Sequence, residues 1–234
     1  MGLHEDIAGR LASVRERLRH AAAQAGRASG DVRLLAVSKT FGVDHVRAAA
    51  AAGQTEFGEN RVQEALQKME RSTDLKIRWH LIGTLQSNKA RKAATAFSAI
   101  HSVNSLGLLE AIDQAAAEGG SSPHVLVQVD LAGEATKHGA PAAAAIDIAR
   151  AGVRCRAARL AGLMTIPPFA EDPEKSRPYF AALRELRATL LKEGLDPESL
   201  RELSMGMSHD FDIAVQEGAT IVRLGTAIFG SRHV

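Results

Sequence analysis

One cysteine in 234 residues, Cys155, is too few for an intrachain disulfide or a thiolate zinc site. Aromatic residues are scarce at 4%, which leaves little surface for stacking nucleic-acid bases. Neither sign of charge dominates, since 29 Lys and Arg against 27 Asp and Glu give a net charge of +2. With no dense basic block, a dedicated nucleic-acid surface is disfavoured. No apolar run approaches membrane-span length, and the amino terminus is charged from His4 to Asp6, without a signal-peptide core. Linkers, low-complexity tracts and strong internal repeats are missing too. These absences leave a soluble cytoplasmic protein with no membrane contact, expected to be one domain over residues 1–234. Hydrophobic residues at 45% and charged residues at 24% are enough for a sizeable core.

What is present is a regular alternation. Leu3, Ile7, Leu11, Val14, Leu18 and Ala22 recur at three- and four-residue steps, predicting an amphipathic helix over 3–26 with Gly26 as its stop. Apolar strand-like runs then alternate with helical patterns. Strands are predicted over 33–38, 55–58, 77–82, 99–103, 124–131, 160–166, 200–205 and 220–224. Helices are predicted over 44–52, 60–70, 87–95, 105–118, 141–151, 173–192 and 210–217, with a short closing helix from Ala227. Eight strands with intervening helices predict a single (β/α)8 TIM barrel carrying an extra amino-terminal helix. The alternative is a doubly wound open sheet, but the dinucleotide glycine fingerprint is missing after the first strand.

Barrel proteins place their sites at the carboxyl ends of the strands. Those ends hold Lys39, Gly58-Glu59-Asn60, His80 with Gly83, Asn104, Lys137, Met164-Thr165, Ser204 to Ser208 and Gly225-Thr226. Lys39 ends the run Leu34-Leu35-Ala36-Val37-Ser38 and shares a strand face with Leu35 and Val37. On an inward face, burial lowers a lysine pKa and frees its amine for attack on a carbonyl. On an outward face it ends a strand and snorkels to water. The last two loops are phosphate candidates: Ser208 as a helix N-cap, Gly225 for close backbone approach and Thr226 for its hydroxyl. Ordinary helix capping is the competing reading. Arg223 shares a face with Ile221, so its guanidinium needs an acceptor, either a core carboxylate such as Glu59 or Asp130 or an atom of a ligand. His80 reads as a hydrogen-bonded structural residue before a general base. His209-Asp210-Phe211-Asp212 matches no usual metal-ligand spacing and reads as solvated first-turn acids.

Several segments together resemble the pyridoxal-phosphate homeostasis proteins, single-barrel relatives of the alanine racemase amino-terminal domain. They are Ala36-Val37-Ser38-Lys39-Thr40, Phe57-Gly58-Glu59-Asn60, His80-Leu81-Ile82-Gly83 and Leu85-Gln86-Ser87-Asn88-Lys89. Further on come Gly162-Leu163-Met164-Thr165-Ile166-Pro167, Leu203-Ser204-Met205-Gly206-Met207-Ser208 and Val222 to Gly230. The resemblance implies that Lys39 forms a Schiff base with pyridoxal 5′-phosphate. It implies that Ser208, Gly225 and Thr226 hold the phosphate, Arg223 faces the pyridine nitrogen and Asn60 lies beside the ring. Ala219 departs from the serine that relatives often carry, and Lys137 matches a second lysine of the family.

The resemblance also implies intracellular supply and homeostasis of the cofactor without robust turnover, hence a non-enzyme, expected to be monomeric and to touch cofactor-dependent enzymes transiently. Two other functions use the same lysine. An amino-acid racemase or decarboxylase needs a second acid–base group, which racemase relatives draw from a β-rich domain with a catalytic tyrosine. Here Tyr179 falls on a predicted helix. A Schiff-base aldolase would act on a sugar phosphate with no cofactor.

Overall fold

The computed structural model describes residues 2–133 and 139–231. Its strands are β1 (Arg33–Val37), β2 (Glu56–Glu59), β3 (Arg78–Leu81), β4 (Ala99–Val103), β5 (His124–Asp130), β6 (Ala140–Pro141), β7 (Arg159–Thr165), β8 (Glu202–Ser204) and β9 (Ile221–Leu224). They run β4-β3-β2-β1-β9-β8-β7-β5, all parallel, and β4 pairs with β5 to close the ring. Eight strands therefore make the predicted barrel. The two-residue β6, which the sequence pattern did not suggest, adds to the end of β5 beside Val129 and Asp130.

The surrounding helices are α1 (Leu3–Gln24), α2 (Val43–Ala51), α3 (Val62–Glu70), α4 (Ala90–Ala96), α5 (Leu106–Gly119), α6 (Ala142–Gly152), α7 (Arg177–Lys192), α8 (Phe211–Gln216) and α9 (Thr226–Phe229). Local chemistry sets their ends. The Ser105 hydroxyl accepts from the Leu108 N–H at 3.3 Å to start α5. Two predicted helices begin with 3-10 turns instead, Ser87–Lys89 before α4 and Pro173–Ser176 before α7. The predicted strand over 200–205 shrinks to β8, because Leu200 belongs to a 3-10 turn.

Alternation along each strand separates two cores. Outward side chains such as Ala36, Phe57, Trp79, Leu81, Ile100, Val127, Leu163 and Val222 join the helices in one large apolar cluster. The inward apolar cluster is small: Leu126, Ala161 and Met164, with Ile166 against it. The predicted stripe of α1 is buried from Ile7 through Leu11, Val14 and Leu18 to Ala22, while Leu3 stays 40% exposed. Burying each of the four large aliphatics is worth about 1.5–3 kcal/mol, enough to fix this extra helix over α2, α8 and α9. Among the described residues, no helix is long and apolar enough to cross a membrane.

Candidate functional site

The carboxyl ends of the strands enclose a cavity of about 500 Å3, an ordinary size for a small-molecule site. Lys39, Asn60, Ser208, Arg223, Gly225 and Thr226 all line it. The chain thus brings together all six residues singled out from sequence.

Lys39 follows β1, and the peptide before it is pinned from behind. The Ser38 hydroxyl donates to Glu59 Oε1 at 2.6 Å, while Lys68 Nζ donates to the same oxygen at 2.6 Å and to the Ser38 carbonyl at 2.8 Å. Glu59 and Lys68 are buried, so the pair exchanges hydration for mutual contact. Burial pushes the Glu59 carboxyl above its ordinary value, against the pull of its hydrogen bonds from Lys68 and Ser38. Glu59 was expected at the site; it instead braces the strand ends against α3 and does not line the cavity. The next residue after Lys39 has a strained backbone: Thr40 has φ 69°, a region that β-branched residues avoid.

Gly83 lets two mouth loops meet. A Cβ there would sit 2.3 Å from the Asn60 carbonyl oxygen, so any larger residue would displace Asn60. On the opposite wall, a Cβ on Gly225 would press on the Val37 carbonyl at 3.3 Å, which explains the tight approach of this loop to β1.

Arg223 is only 4% exposed and has neither of the carboxylate partners considered for it. Its Nη1 donates to Ser204 Oγ at 2.7 Å and its Nη2 to the Thr165 carbonyl at 2.9 Å. Register places it beside Leu35 of β1, on the inward face. Burial lowers its pKa to about 10, so it remains a cation at neutral pH. Two of its five N–H groups are engaged by the wall, and the side chain borders the cavity as a donor.

Ser208 does not cap the helix that follows it. Its hydroxyl accepts from the Ala227 N–H at 3.3 Å, joining the two candidate phosphate loops. Asp210 stands before α8, but its carboxylate caps no helical N–H: it takes the Met207 N–H of the preceding loop at 2.7 Å and the Ser176 hydroxyl at 2.9 Å. Asp210 is therefore a buried loop brace and not a solvated acid, whereas Asp212 is partly exposed against Arg17. With six and four residues, α8 and α9 are too short for a large dipole. Anion affinity here rests on individual hydroxyl and N–H donors.

His80 was also expected at the carboxyl ends. It points the other way, into a second cavity of about 540 Å3 at the amino ends of the strands. Asn104 does not line the carboxyl-end cavity, and Lys137 lies outside the described residues. Gln128 and Thr84 line it without having been singled out, and Ile166, Met207 and His209 line it after being named only within longer stretches. Gln128 had a signal, being a polar residue inside the apolar run of β5.

The chemistry of this donor set is specific. A primary amine lies in the same cavity as two hydroxyls, a closely approached glycine and a guanidinium. Such a set suits a small planar molecule bearing an anionic group and an amine-reactive carbon. The amino-end cavity has no lysine among its lining residues, and its Arg33 and Arg201 pair with Glu202.

The family described as alanine racemase, N-terminal domain, matches residues 10–233. Pyridoxal phosphate homeostasis proteins from Pseudomonas aeruginosa and Aquifex aeolicus are 44% and 42% identical. The first match covers 97% of this chain and 96% of the relative; the second covers 95% and 97%. Among solved structures, PipY of Synechococcus elongatus with PLP bound is 42% identical, with a TM-score of 0.85 over 96% of this chain and 100% of that one. Alanine racemase from Streptomyces coelicolor, at 24% identity and a TM-score of 0.70, shares the fold; the match covers 97% of this chain and 59% of the racemase. Near-complete coverage of both partners at these identities leaves one assignment: the chain belongs to the pyridoxal phosphate homeostasis protein family, built on the barrel of the alanine racemase N-terminal domain.

Proposed function

We propose that this protein binds pyridoxal 5′-phosphate in the carboxyl-end cavity and serves its intracellular homeostasis, without robust enzymatic turnover. The single observation that supports this most is the convergence of Lys39, Asn60, Ser208, Arg223, Gly225 and Thr226 on one cavity of suitable size. The relatives' name and the PLP-bound PipY structure give the ligand its identity.

When bound, the cofactor supplies an aldehyde that condenses with a primary amine. Lys39 carries it covalently through its ε-amine, with the Glu59–Lys68–Ser38 brace fixing the backbone from which the amine extends. Ser208 and Thr226 donate hydroxyl protons to the phosphate, and Gly225 leaves room for it against β1. Asn60, held by the Gly83 contact, flanks the ring.

Arg223 faces the ring nitrogen. A guanidinium that stays protonated cannot take a proton from the ring, so that nitrogen remains an acceptor. An unprotonated ring is a weak electron sink, which suits a carrier better than a catalyst. Tyr179, the chain's one tyrosine, lies on α7 and does not line the cavity, so it supplies no opposing acid or base. The protein acts as a single-domain cytoplasmic monomer, whose contact with cofactor-dependent enzymes is transient.

Borohydride reduction followed by peptide mass analysis tests the reading. The label is expected on Lys39, and a label confined to Lys89 or Lys137 overturns it. Arg223→Glu, compared at equal occupancy, is expected to convert bound cofactor to its amine form faster on addition of amino acids. Light scattering at low micromolar concentration is expected to give a monomer mass.

A further inference from the structure

The barrel interior is crossed by a line of buried polar side chains that connects the two cavities. Starting from Arg223 at the carboxyl-end cavity, its Nη1 donates to Ser204 Oγ at 2.7 Å. Ser204 Oγ lies 2.9 Å from His101 Nδ1, and His101 Nε2 lies 3.0 Å from His80 Nδ1. His80 Nε2 is 3.9 Å from Glu56 Oε2, at the amino-end cavity that both histidines line. The four elements involved, β9, β8, β4 and β3, approach this line from different sides of the ring, and β2 supplies Glu56. His101 and Ser204 are fully buried, and His80 is 3% exposed.

One assignment of protons satisfies these contacts in sequence. Ser204 Oγ already accepts from Arg223, so its own proton is available to His101 Nδ1. His101 then carries its proton on Nε2 and donates to His80 Nδ1. His80 in turn carries its proton on Nε2, 3.9 Å from Glu56 Oε2; that is too far for a hydrogen bond, so this last link to a buried carboxylate oxygen with no hydrogen-bond partner is electrostatic. The other Glu56 oxygen is occupied by Arg33 and Arg78. Both imidazoles are neutral at pH 7, because burial drives His80 down to about 4 and His101 well below its ordinary value. The direct nitrogen-to-nitrogen approach of the two rings leaves no room for an ion between them. Among the described residues, no three His, Cys, Asp or Glu side chains are placed to hold a metal.

We propose that Glu56, His80, His101 and Ser204 form a positioning relay along the barrel axis that fixes Arg223 against the ring nitrogen of bound pyridoxal 5′-phosphate. The inference rests on the ligand reading given above. Because the relay ends at the amino-end cavity, a change there reaches the ring through oriented hydrogen bonds. The four residues touch neither ligand nor reacting atoms; they act through Arg223.

The test compares pyridoxal 5′-phosphate with its carbocyclic analogue, in which a C–H group replaces the ring nitrogen. Both keep the aldehyde and the phosphate; the nitrogen also alters the aldehyde's reactivity toward Lys39, and that intrinsic difference cancels in the change of preference between wild type and variant. The wild-type protein is expected to prefer the nitrogen-containing ligand by about tenfold, as loss of a charge-assisted hydrogen bond implies. In His101→Leu and in Ser204→Ala the preference is expected to fall to about twofold. His101→Asn, whose amide can occupy the Nδ1 position, is expected to recover most of it. Nitrogen-15 NMR of the ligand-free wild type is expected to show both histidines neutral and protonated on Nε2.

A preference that stays tenfold in folded Ser204→Ala overturns the relay, and so does a His101 proton found on Nδ1. Should His101→Leu fail to fold, Ser204→Ala and the NMR assignment decide the matter alone. Equal wild-type affinity for the two ligands would overturn the contact between Arg223 and the ring nitrogen. Failure of the wild type to bind either one would overturn the ligand reading itself.

Discussion

The outward face of the barrel sheet and its inward face are built from the same strands by different physics. Outward, Phe57, Trp79, Leu81 and Ile100 pack on helices in a continuous apolar layer. Inward, the strands carry Glu56, His80, His101, Ser204 and Arg223, and the apolar side chains among them are few, chiefly Leu35, Leu126, Ala161, Met164 and Ile221. The apolar layer gains stability in proportion to buried area and tolerates small shifts in geometry. A buried polar line gains little net stability, because each hydrogen bond replaces one made to water. What it gains is direction, since every donor must meet its acceptor or leave a costly orphan. The outer face thus holds the barrel together, and the inner face sets where one guanidinium points.

The largest effect should come from breaking the outer layer far from either cavity. Phe180 on α7 is fully buried, and Phe180→Ala is expected to cost about 3–5 kcal/mol. Denaturant unfolding measures that loss, while cofactor affinity of the folded fraction should hardly change. If affinity falls as steeply as stability, the two faces are not separable.

A nearly equal effect belongs to the inner face and depends on pH. The neutral form of His80 is favoured in the fold because burial penalises its charge; Glu56 opposes this, and Arg33, Arg78 and His124 each reinforce it by less than Glu56 opposes it. Its folded pKa, about 4, lies below its ordinary 6.5. The stability it contributes is therefore complete above pH 6.5 and is lost as pH falls toward 4, at most about 3 kcal/mol. His80→Gln should flatten this part of the acid limb in a stability-against-pH series. A wild-type curve that stays level from pH 7 to pH 4.5 would contradict the assignment.

At the phosphate side the expected cost is to binding alone. Thr226→Ala removes a hydroxyl donor to an anion, about 1.5–3 kcal/mol, or roughly tenfold or more in cofactor retention. Thr226 lies on the cavity wall and outside both apolar clusters, so its melting temperature without ligand should match wild type. Equilibrium dialysis and a thermal scan on the same sample separate the two quantities.

Much of the outer face was legible in the sequence, because period-two and period-3.6 apolar patterns report a buried face directly. Ile7, Leu11, Val14 and Leu18 of α1 are the clearest case. The six cavity residues were legible for a different reason: strand-end geometry nominated five of them among others that do not reach the cavity, such as His80 and Asn104, and the family resemblance selected these and Arg223. The polar axis was not legible. His80 was recognised as structural, but its partner His101 lies 21 residues away on the neighbouring strand, inside a run that reads simply as apolar. Ser204 and Arg223 were read on separate strands, and the pairing of β8 with β9, which sets Ser204 opposite Ile221, brings them within 2.7 Å. Lys68 was hidden for a similar reason, since a lysine on an amphipathic helix reads as a solvated one until a buried carboxylate is found beside it.

The smallest expected effect sharpens the comparison most, because stability and function should move in opposite directions. Thr40 follows Lys39 with φ 69°, and such a left-handed backbone costs an L-residue roughly 1–2 kcal/mol. Glycine removes that strain but loses about 0.5–1 kcal/mol through the greater freedom of the unfolded chain. Thr40→Gly should therefore raise unfolding stability slightly, by about 0.5–1 kcal/mol. The strain persists because the surroundings over-determine the turn. On one side Ser38 is clamped by Glu59 and Lys68, and on the other the Phe41 N–H donates to the Ser38 carbonyl at 3.1 Å. If that clamp exists to aim the Lys39 amine, loosening the turn should weaken cofactor retention while stability rises. Chemical denaturation and dialysis against pyridoxal 5′-phosphate give the two signs independently. A parallel fall in both would mean that the Thr40 side chain makes a stabilising contact. A rise in stability with unchanged retention would mean that the strained turn has no part in placing Lys39.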